Sequence, residues 1–260
     1  MTHPEAEPIS GLTLLDNRLY VLRRKTSQQI EVQCVRSPRF LRFLTVPELH
    51  SGTDIVACAH NRCAYVSDLS RSCIHKVSLP DAAAVTQWPV GDRPFGLSLT
   101  VTHGVLVTCT EARKIKEFST DGQPLRELTL PEDVVSPWHA VQLSSGLFVA
   151  SRRNHIRQNV CLLGPDGHLV RSLGGNDQMM TASHFSVDAN GLVFVADVLQ
   201  RRVLLFCPTT SYVHRVVSLE QLQLTPYKLC FDAASRRLFV AVGRVQDRRV
   251  IAGRVLVVSV

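Results

Sequence analysis

His139 and His184 stand 45 residues apart, and each opens a short apolar run, "HAVQL" and "HFSV". Imidazoles set at matching places in two units of a chain are the raw material of a metal site, because rings on separate elements can converge on one ion. Such a site needs three or more ligands, and Asp54 is the available third. Lys228 occupies a matching place further on, where it adds a cation and no ligand. Asp54, His139 and His184 therefore make an incomplete zinc set and a poor calcium set. The plain alternative is a pair of histidines lining a wet channel.

A second pattern combines cations with rings. Basic residues cluster as Arg23, Arg24 and Lys25, then Arg71, then Arg113 with Lys114. Further clusters are Arg152, Arg153 and Arg157, then Arg201 and Arg202, then Arg244, Arg248 and Arg249. Pro-aromatic pairs, Pro94-Phe95, Pro137-Trp138 and Pro226-Tyr227, stand just before apolar runs. Guanidinium groups attract phosphates and exposed rings stack on unpaired bases, so the combination suits single-stranded RNA or another acidic partner. Solubilising arginines and rings packed between elements are the structural alternative. Asp68 and Asp197 each close an apolar run before a polar loop and read as turn residues that accept backbone hydrogen bonds.

Other chemistries are missing from the sequence. It has no nucleophile-elbow serine, phosphate loop or paired-histidine motif. Its eight cysteines are scattered, with no Cys-x-x-Cys, and read as small buried hydrophobes in a reducing compartment. A net charge of +7 favours acidic partners without naming one. The start, "MTHPEAEPIS", lacks the basic and apolar segments of a signal peptide. No run approaches the roughly 18 apolar residues of a membrane helix. An intracellular, cytoplasmic protein without membrane contact is expected.

What must position these groups is a repeat. The run "VFVAD" ending at Asp197 recurs as "LYVLR" from Leu19, "AYVSD" from Ala64, "VLVTC" from Val105, "LFVAS" from Leu147 and "LFVAV" from Leu238. Their second positions, Tyr20, Tyr65, Leu106, Phe148, Phe194 and Phe239, are 41 to 46 residues apart, a propeller-blade period. Each unit holds short alternating strands with turn residues between them, as in "WHAVQL", "SSG", "LFVAS", "VCLL", "GPDG" and "HLVRSL". A four-stranded sheet of this size cannot bury both faces alone, but six packed radially can. The fold expected is an all-β, six-bladed β-propeller of four-stranded antiparallel blades. One domain spans 11–260, with blades near 11–48, 49–91, 92–135, 136–178, 179–223 and 224–260. The sixth unit stops after its third strand, "RVLVVSV", so the last blade should be one strand short. Residues 1–10 form a tail or a closing strand, a poor one because of Pro4 and Pro8.

The fifth unit resembles an NHL repeat on Asp188, Gly191, Val193, Val195, Ala196, Asp197, Arg202, Val203 and Phe206. Gln200-Arg201 stands where that family usually has Asn-His. The other units keep the strand pattern and lose most signature residues, which leaves gluconolactonase-like and TolB-like propellers as broader relatives. The NHL resemblance implies a binding propeller, and RNA as its ligand. The hydrolase and lyase relatives imply an enzyme with a metal in the axial channel, here held by Asp54, His139 and His184.

In a propeller the inner strand begins on the face that carries the loop between the second and third strands. Aligning the units places Leu12, Ile55, Gly96, His139, His184 and Lys228 at equivalent inner-strand starts, preceded by Gly11, Asp54, Phe95, Trp138, Ser183 and Tyr227. The expected function is a non-enzymatic recognition propeller that needs no cofactor. Its partner surface is expected to use Arg23, Arg24, Lys25, Phe95, Trp138, His139, Arg152, Arg153 and Arg157. It continues through His184, Arg201, Arg202, Tyr227, Lys228, Arg248 and Arg249. The alternative is the metal-dependent hydrolase or lyase.

Overall fold

The computed structural model describes residues 7–24, 28–37, 39–153, 158–173, 181–210, 213–246, 249–250 and 253–260, and among them are 25 β-strands and no helix. Blade 1 comprises β1 (Ile9–Leu15), β2 (Arg18–Arg23), β3 (Gln29–Cys34) and β4 (Arg39–Thr45). Blade 2 follows with β5 (Gly52–Cys58), β6 (Cys63–Asp68), β7 (Cys73–Ser78) and β8 (Val85–Pro89). Blade 3 is β9 (Pro94–Leu99), β10 (Val105–Cys109), β11 (Lys114–Phe118) and β12 (Pro124–Thr129). Blade 4 is β13 (Ala140–Gln142), β14 (Phe148–Arg153), β15 (Gln158–Leu163) and β16 (Leu169–Leu173). Blade 5 is β17 (Ala182–Val187), β18 (Val193–Asp197), β19 (Arg202–Phe206) and β20 (Val213–Ser218). Blade 6 has β21 (Thr225–Asp232), β22 (Arg237–Gly243) and β25 (Arg254–Ser259). The small hairpin of β23 (Val245–Gln246) and β24 (Arg249–Val250) lies between the last two strands of that blade. The protein is thus a six-bladed β-propeller whose last blade has three strands.

Sequence pattern and strand position agree. The second strands lie between two neighbours in their own sheet and two flanking blades, and β6, β10 and β18 are buried at every residue. Such strands need near-continuous apolar runs, which is why the second strand carries the repeat signal. The outer strands meet solvent, and six of the seven residues of β4 are exposed. The hairpin after Asp188 turns at Gly191, whose φ of +78° suits a residue without a Cβ.

The core lies in the seams between blades. Tyr20 packs in the seam of blades 1 and 2, Tyr65 in that of 2 and 3, and Leu106 in that of 3 and 4. Phe194 packs in the seam of blades 5 and 6, and Phe239 in that of 6 and 1. In blade 4 the equivalent residue is Val149, in the seam of blades 4 and 5, whereas Phe148 points back into the seam with blade 3. The alignment on Phe148 was therefore one residue early. In a strand that error exchanges the two faces.

Among the described residues, blade 1 closes on blade 6 without exchanging a strand. Ile9, Leu12, Leu19 and Val21 pack against Phe239 and Ala241. The Ile9 N–H donates to the Tyr227 hydroxyl at 3.1 Å, and the Arg23 guanidinium donates to the Gly253 carbonyl at 3.3 Å. None of the eight cysteines forms a disulfide.

Candidate functional site

Five of the six inner strands carry the same irregularity near their start. Register shifts fall at Ser10, Thr53, Phe95, Ser183 and Tyr227, each of which is skipped between paired neighbours. In blade 4 the ladder continues without a shift, the Ser151 N–H donating to the His139 carbonyl and the Trp138 N–H to the Ser151 hydroxyl at 2.8 Å. A one-residue bulge rotates the next side chain toward a new direction. Gly11, Asp54, Gly96, His184 and Lys228 follow the bulges, and His139 takes the corresponding place in blade 4, completing a ring around the channel.

This ring corrects the sequence alignment. Leu12 and Ile55 are not members, since both lie in blade seams; Gly11 and Asp54 take their places. A signal for the true register exists in the sequence. The residue after each ring position is apolar in every unit: Leu12, Ile55, Leu97, Ala140, Phe185 and Leu229. The glycines permit close approach. A Cβ on Gly96 would lie 2.4 Å from the Trp138 carbonyl oxygen, and one on Gly11 would lie 2.8 Å from the Ile55 backbone nitrogen.

The four larger side chains converge and are buried. Asp54 Oδ1 accepts from Lys228 Nζ at 2.7 Å and from the Ile55 N–H at 3.1 Å. Its Oδ2 accepts the Leu97 N–H at 2.9 Å and lies 3.5 Å from His184 Nε2 and 3.8 Å from His139 Nε2. The imidazoles stack, with ring centroids 3.9 Å apart. His139 Nδ1 receives the Phe185 N–H and His184 Nδ1 the Leu229 N–H, both at 3.3 Å. Nδ1 is therefore the bare nitrogen of each ring and Nε2 carries the proton. His139 Nε2–H accordingly donates to the Leu97 carbonyl at 2.9 Å.

A rule emerges from these bonds. The ring side chain of one blade accepts the N–H of the residue after the ring position in the next blade: Asp54 for Leu97, His139 for Phe185 and His184 for Leu229. Thr13, Ser98 and Ser186, two residues beyond the ring, staple the alternate seams through the Ala57 N–H, the Ala140 carbonyl and the Phe231 N–H. An inner strand has an unpaired edge facing the channel, and its buried backbone groups need partners. These polar side chains supply them. Sequence reasoning missed the role of Thr13, Ser98 and Ser186.

The electrostatics follow. Burial pushes the Asp54 carboxyl up, but Lys228 and the two imidazoles outweigh it and hold the group below its ordinary value. Burial also lowers His139 and His184, helped for His139 by its neighbour imidazole and for His184 by Lys228. Burial lowers Lys228, with Asp54 opposing the shift. The cluster is one buried ion pair with two neutral imidazoles.

Asp54, His139 and His184 do bring one ligand atom each within 4.8 Å of one another. A metal between the Nε2 atoms would need its lone pairs there and hence protons on both Nδ1 atoms. Those protons would meet the Phe185 and Leu229 N–H groups head-on. Lys228 would add a cation on the ligand carboxylate. The donor set does not fit a metal ion.

The loop-bearing face is a different matter. Backbone bonds from Arg24 to Pro8, Leu69 to Ser51 and Val198 to Thr181 tie these loops to the entries of the inner strands, so the two share one face. Many cations there are already committed to carboxylates. Arg23 pairs with Glu31 at 2.7 Å, Lys114 with Glu127 at 2.7 Å and Arg202 with Asp197 at 3.0 Å, and Arg71 pairs with Glu48. Arg24, Arg113, Arg201 and Arg244 meet no carboxylate among the described residues; Arg113 donates to the Glu132 carbonyl and Arg201 to the Gln223 side-chain oxygen. Phe95 and Trp138, each one residue before a ring position of adjacent blades, are half-buried with centroids 6.0 Å apart. His139 and His184 are too deep for a macromolecular partner, at 2% and 6% exposure, and Lys228 at 8% is bound to Asp54. Lys25, Arg157 and Arg248 lie outside the described residues, as do the side chains of Arg152, Arg153 and Arg249. Asp68 accepts N–H groups from His50, Ser51, Ser70 and Arg71, and so organises its turn.

No protein-family model and no curated protein matches the chain in sequence. Solved structures match the fold. Virginiamycin B lyase from Staphylococcus aureus is 11% identical with a TM-score of 0.68, over 95% of this chain and 84% of the lyase. A streptogramin B lyase is 12% identical with a TM-score of 0.69, over 100% of this chain and 85% of that one. A Bacteroides thetaiotaomicron protein of unknown function is 12% identical with a TM-score of 0.71, over 92% of this chain and 68% of that one. At this identity the likeness is one of architecture.

Proposed function

We propose that this propeller is a non-enzymatic recognition module that docks an acidic partner, single-stranded RNA, on its loop-bearing face. The observation that supports the reading is the sorting of cations on that face. Arg24, Arg113, Arg201 and Arg244 keep charge that no carboxylate among the described residues neutralises, while Phe95 and Trp138 offer half-buried rings at the inner-strand entries. Guanidinium groups that track phosphates beside rings that stack on bases are what unpaired nucleic acid requires.

The test is an electrophoretic shift with random single-stranded RNA across a salt series. Binding should weaken steeply with salt. The variant R24S/R113S/R201S/R244S should bind about tenfold or more weakly with a shallower salt dependence, because each lost phosphate contact removes counterion release. Its melting temperature should stay nearly unchanged. No shift at low salt rejects RNA and leaves an acidic protein surface as the ligand.

A second reading, a lyase-like enzyme, draws on the fold likeness to two lyases and on the approach of Asp54, His139 and His184. The tautomers fixed by Phe185 and Leu229 oppose it. Elemental analysis of purified protein finding a full equivalent of zinc or calcium would reinstate it.

A further inference from the structure

Blade 6 ends at β25, and its outer edge is open among the described residues. The Val260 N–H donates to the Arg236 carbonyl at 3.0 Å, which fixes the phase of the β22–β25 ladder. Antiparallel pairing alternates, so Arg254, Leu256 and Val258 bond inward while the N–H and C=O groups of Val255, Val257 and Ser259 point outward. This edge has no proline and no bulge, and its one charge is Arg254 at the start. Edges exposed in this way are templates for another strand.

Both walls of the open position are apolar. On the side of blade 1, Val257 is 49% exposed and shares a face with Val255, which packs into the seam with that blade. Opposite stand Phe40 and Phe43 on β4, at 51% and 50% exposure with centroids 4.8 Å apart. The bulge between Val32 and Gln33 sets both rings on the face of Glu31 and Gln33, turned toward blade 6. On the side of blade 5, a cavity of about 410 Å³ is lined by Leu192, Leu205, Phe231 and Val260, together with Asp188, Asn190 and Arg236. Arg236, Arg237 and Arg254 meet no carboxylate among the described residues, and they put cations at both ends of the edge.

We infer that the edge of β25 is a docking site for an extended segment of a partner protein, added as the fourth strand of blade 6, with apolar side chains on both faces and carboxylates at its ends. The backbone groups of Val255, Val257 and Ser259 supply affinity, and the two apolar walls read alternate side chains. Charge decides between a partner and a second copy. Pairing of β25 with β25 would bring Arg236, Arg237 and Arg254 of two copies together in a chain of net charge +7, whereas acidic flanks are attracted. The inference does not depend on RNA binding at the loop-bearing face.

The probe is a blocked, fluorescent peptide, Glu-Glu-Val-Leu-Val-Leu-Val-Glu-Glu, titrated into the full chain by anisotropy. Binding should be saturable, weaken with salt, and slow amide exchange at Val255, Val257 and Ser259. V257P removes only an outward N–H, a position where an edge strand tolerates proline, and should weaken binding tenfold or more. If V257P does not fold, the exchange measurement on the unaltered chain decides. Absence of binding overturns the inference. So does binding that appears only after deletion of residues 1–6, which would assign the edge to the chain's own start. A dimer that V257P dissociates overturns it in favour of a second copy.

Discussion

Asp54 is the residue on which the channel turns. It is fully buried, accepts bonds from two blades besides its own, and balances the only cation in the cluster. Replacing it by Asn would leave Lys228 buried without its counterion, which costs about 3–5 kcal/mol by analogy with other broken buried pairs. Urea unfolding of D54N should show that loss, and D54N/K228M should recover part of it, because the stranded charge goes with the lysine. An equal loss in both variants would mean that geometry, not charge, sets the cost. The histidines give a pH signature. His75, buried on β7 with its Nε2 3.6 Å from Asp68, is lowered chiefly by burial, as are His139 and His184, so all three stay neutral in the folded protein while the unfolded chain takes up protons below about pH 6.5. The unfolded state then binds more protons, and stability should fall as pH drops below that value. The limiting slope is about 1.4 kcal/mol per pH unit for each histidine. Asp54 adds a loss of the same sign only under more acid conditions, since its folded value is depressed. Unfolding midpoints that are flat from pH 7.5 to 5.5 would contradict this description.

At the scale of the strand, the bulge is the device that builds the site. Ser10, Thr53, Phe95, Ser183 and Tyr227 occupy bulges, and the ring residues of those blades follow one position later, where side chains turn into the channel. The ring works only if neighbouring inner strands come close, and Gly96 is where blade 3 meets blade 4. A G96A variant would press its Cβ against the Trp138 carbonyl and His139, with an expected loss of about 1–3 kcal/mol, as for other overpacked sites. A urea midpoint equal to that of the parent would show that the two strands can part without cost. The hydroxyl staples of the seams between blades 1 and 2, 3 and 4, and 5 and 6 also explain why small polar residues recur in otherwise apolar strands.

For the whole molecule, closure decides which groups become neighbours. Asp54 and Lys228 are 174 residues apart in sequence and 2.7 Å apart in space. The architecture was legible beforehand, because a blade-length period of buried second strands records the one arrangement in which every sheet finds cover on both faces. The short last blade was also legible, from "RVLVVSV" alone. The ring was read correctly at Gly96, His139, His184 and Lys228 and misread by one residue at Leu12 and Ile55, because a bulge leaves no mark in composition. The cationic face was overestimated. A sequence counts charges, while the fold pairs Arg23, Arg71, Lys114 and Arg202 with carboxylates from other strands and loops. Strand periodicity is a local property, set by which side of a pleat each residue occupies, and the sequence determines it unaided. Which lone pair, proton or cation remains available depends on groups that strand pairing within a blade and packing between blades bring within hydrogen-bonding range, and that was decided by the tertiary structure.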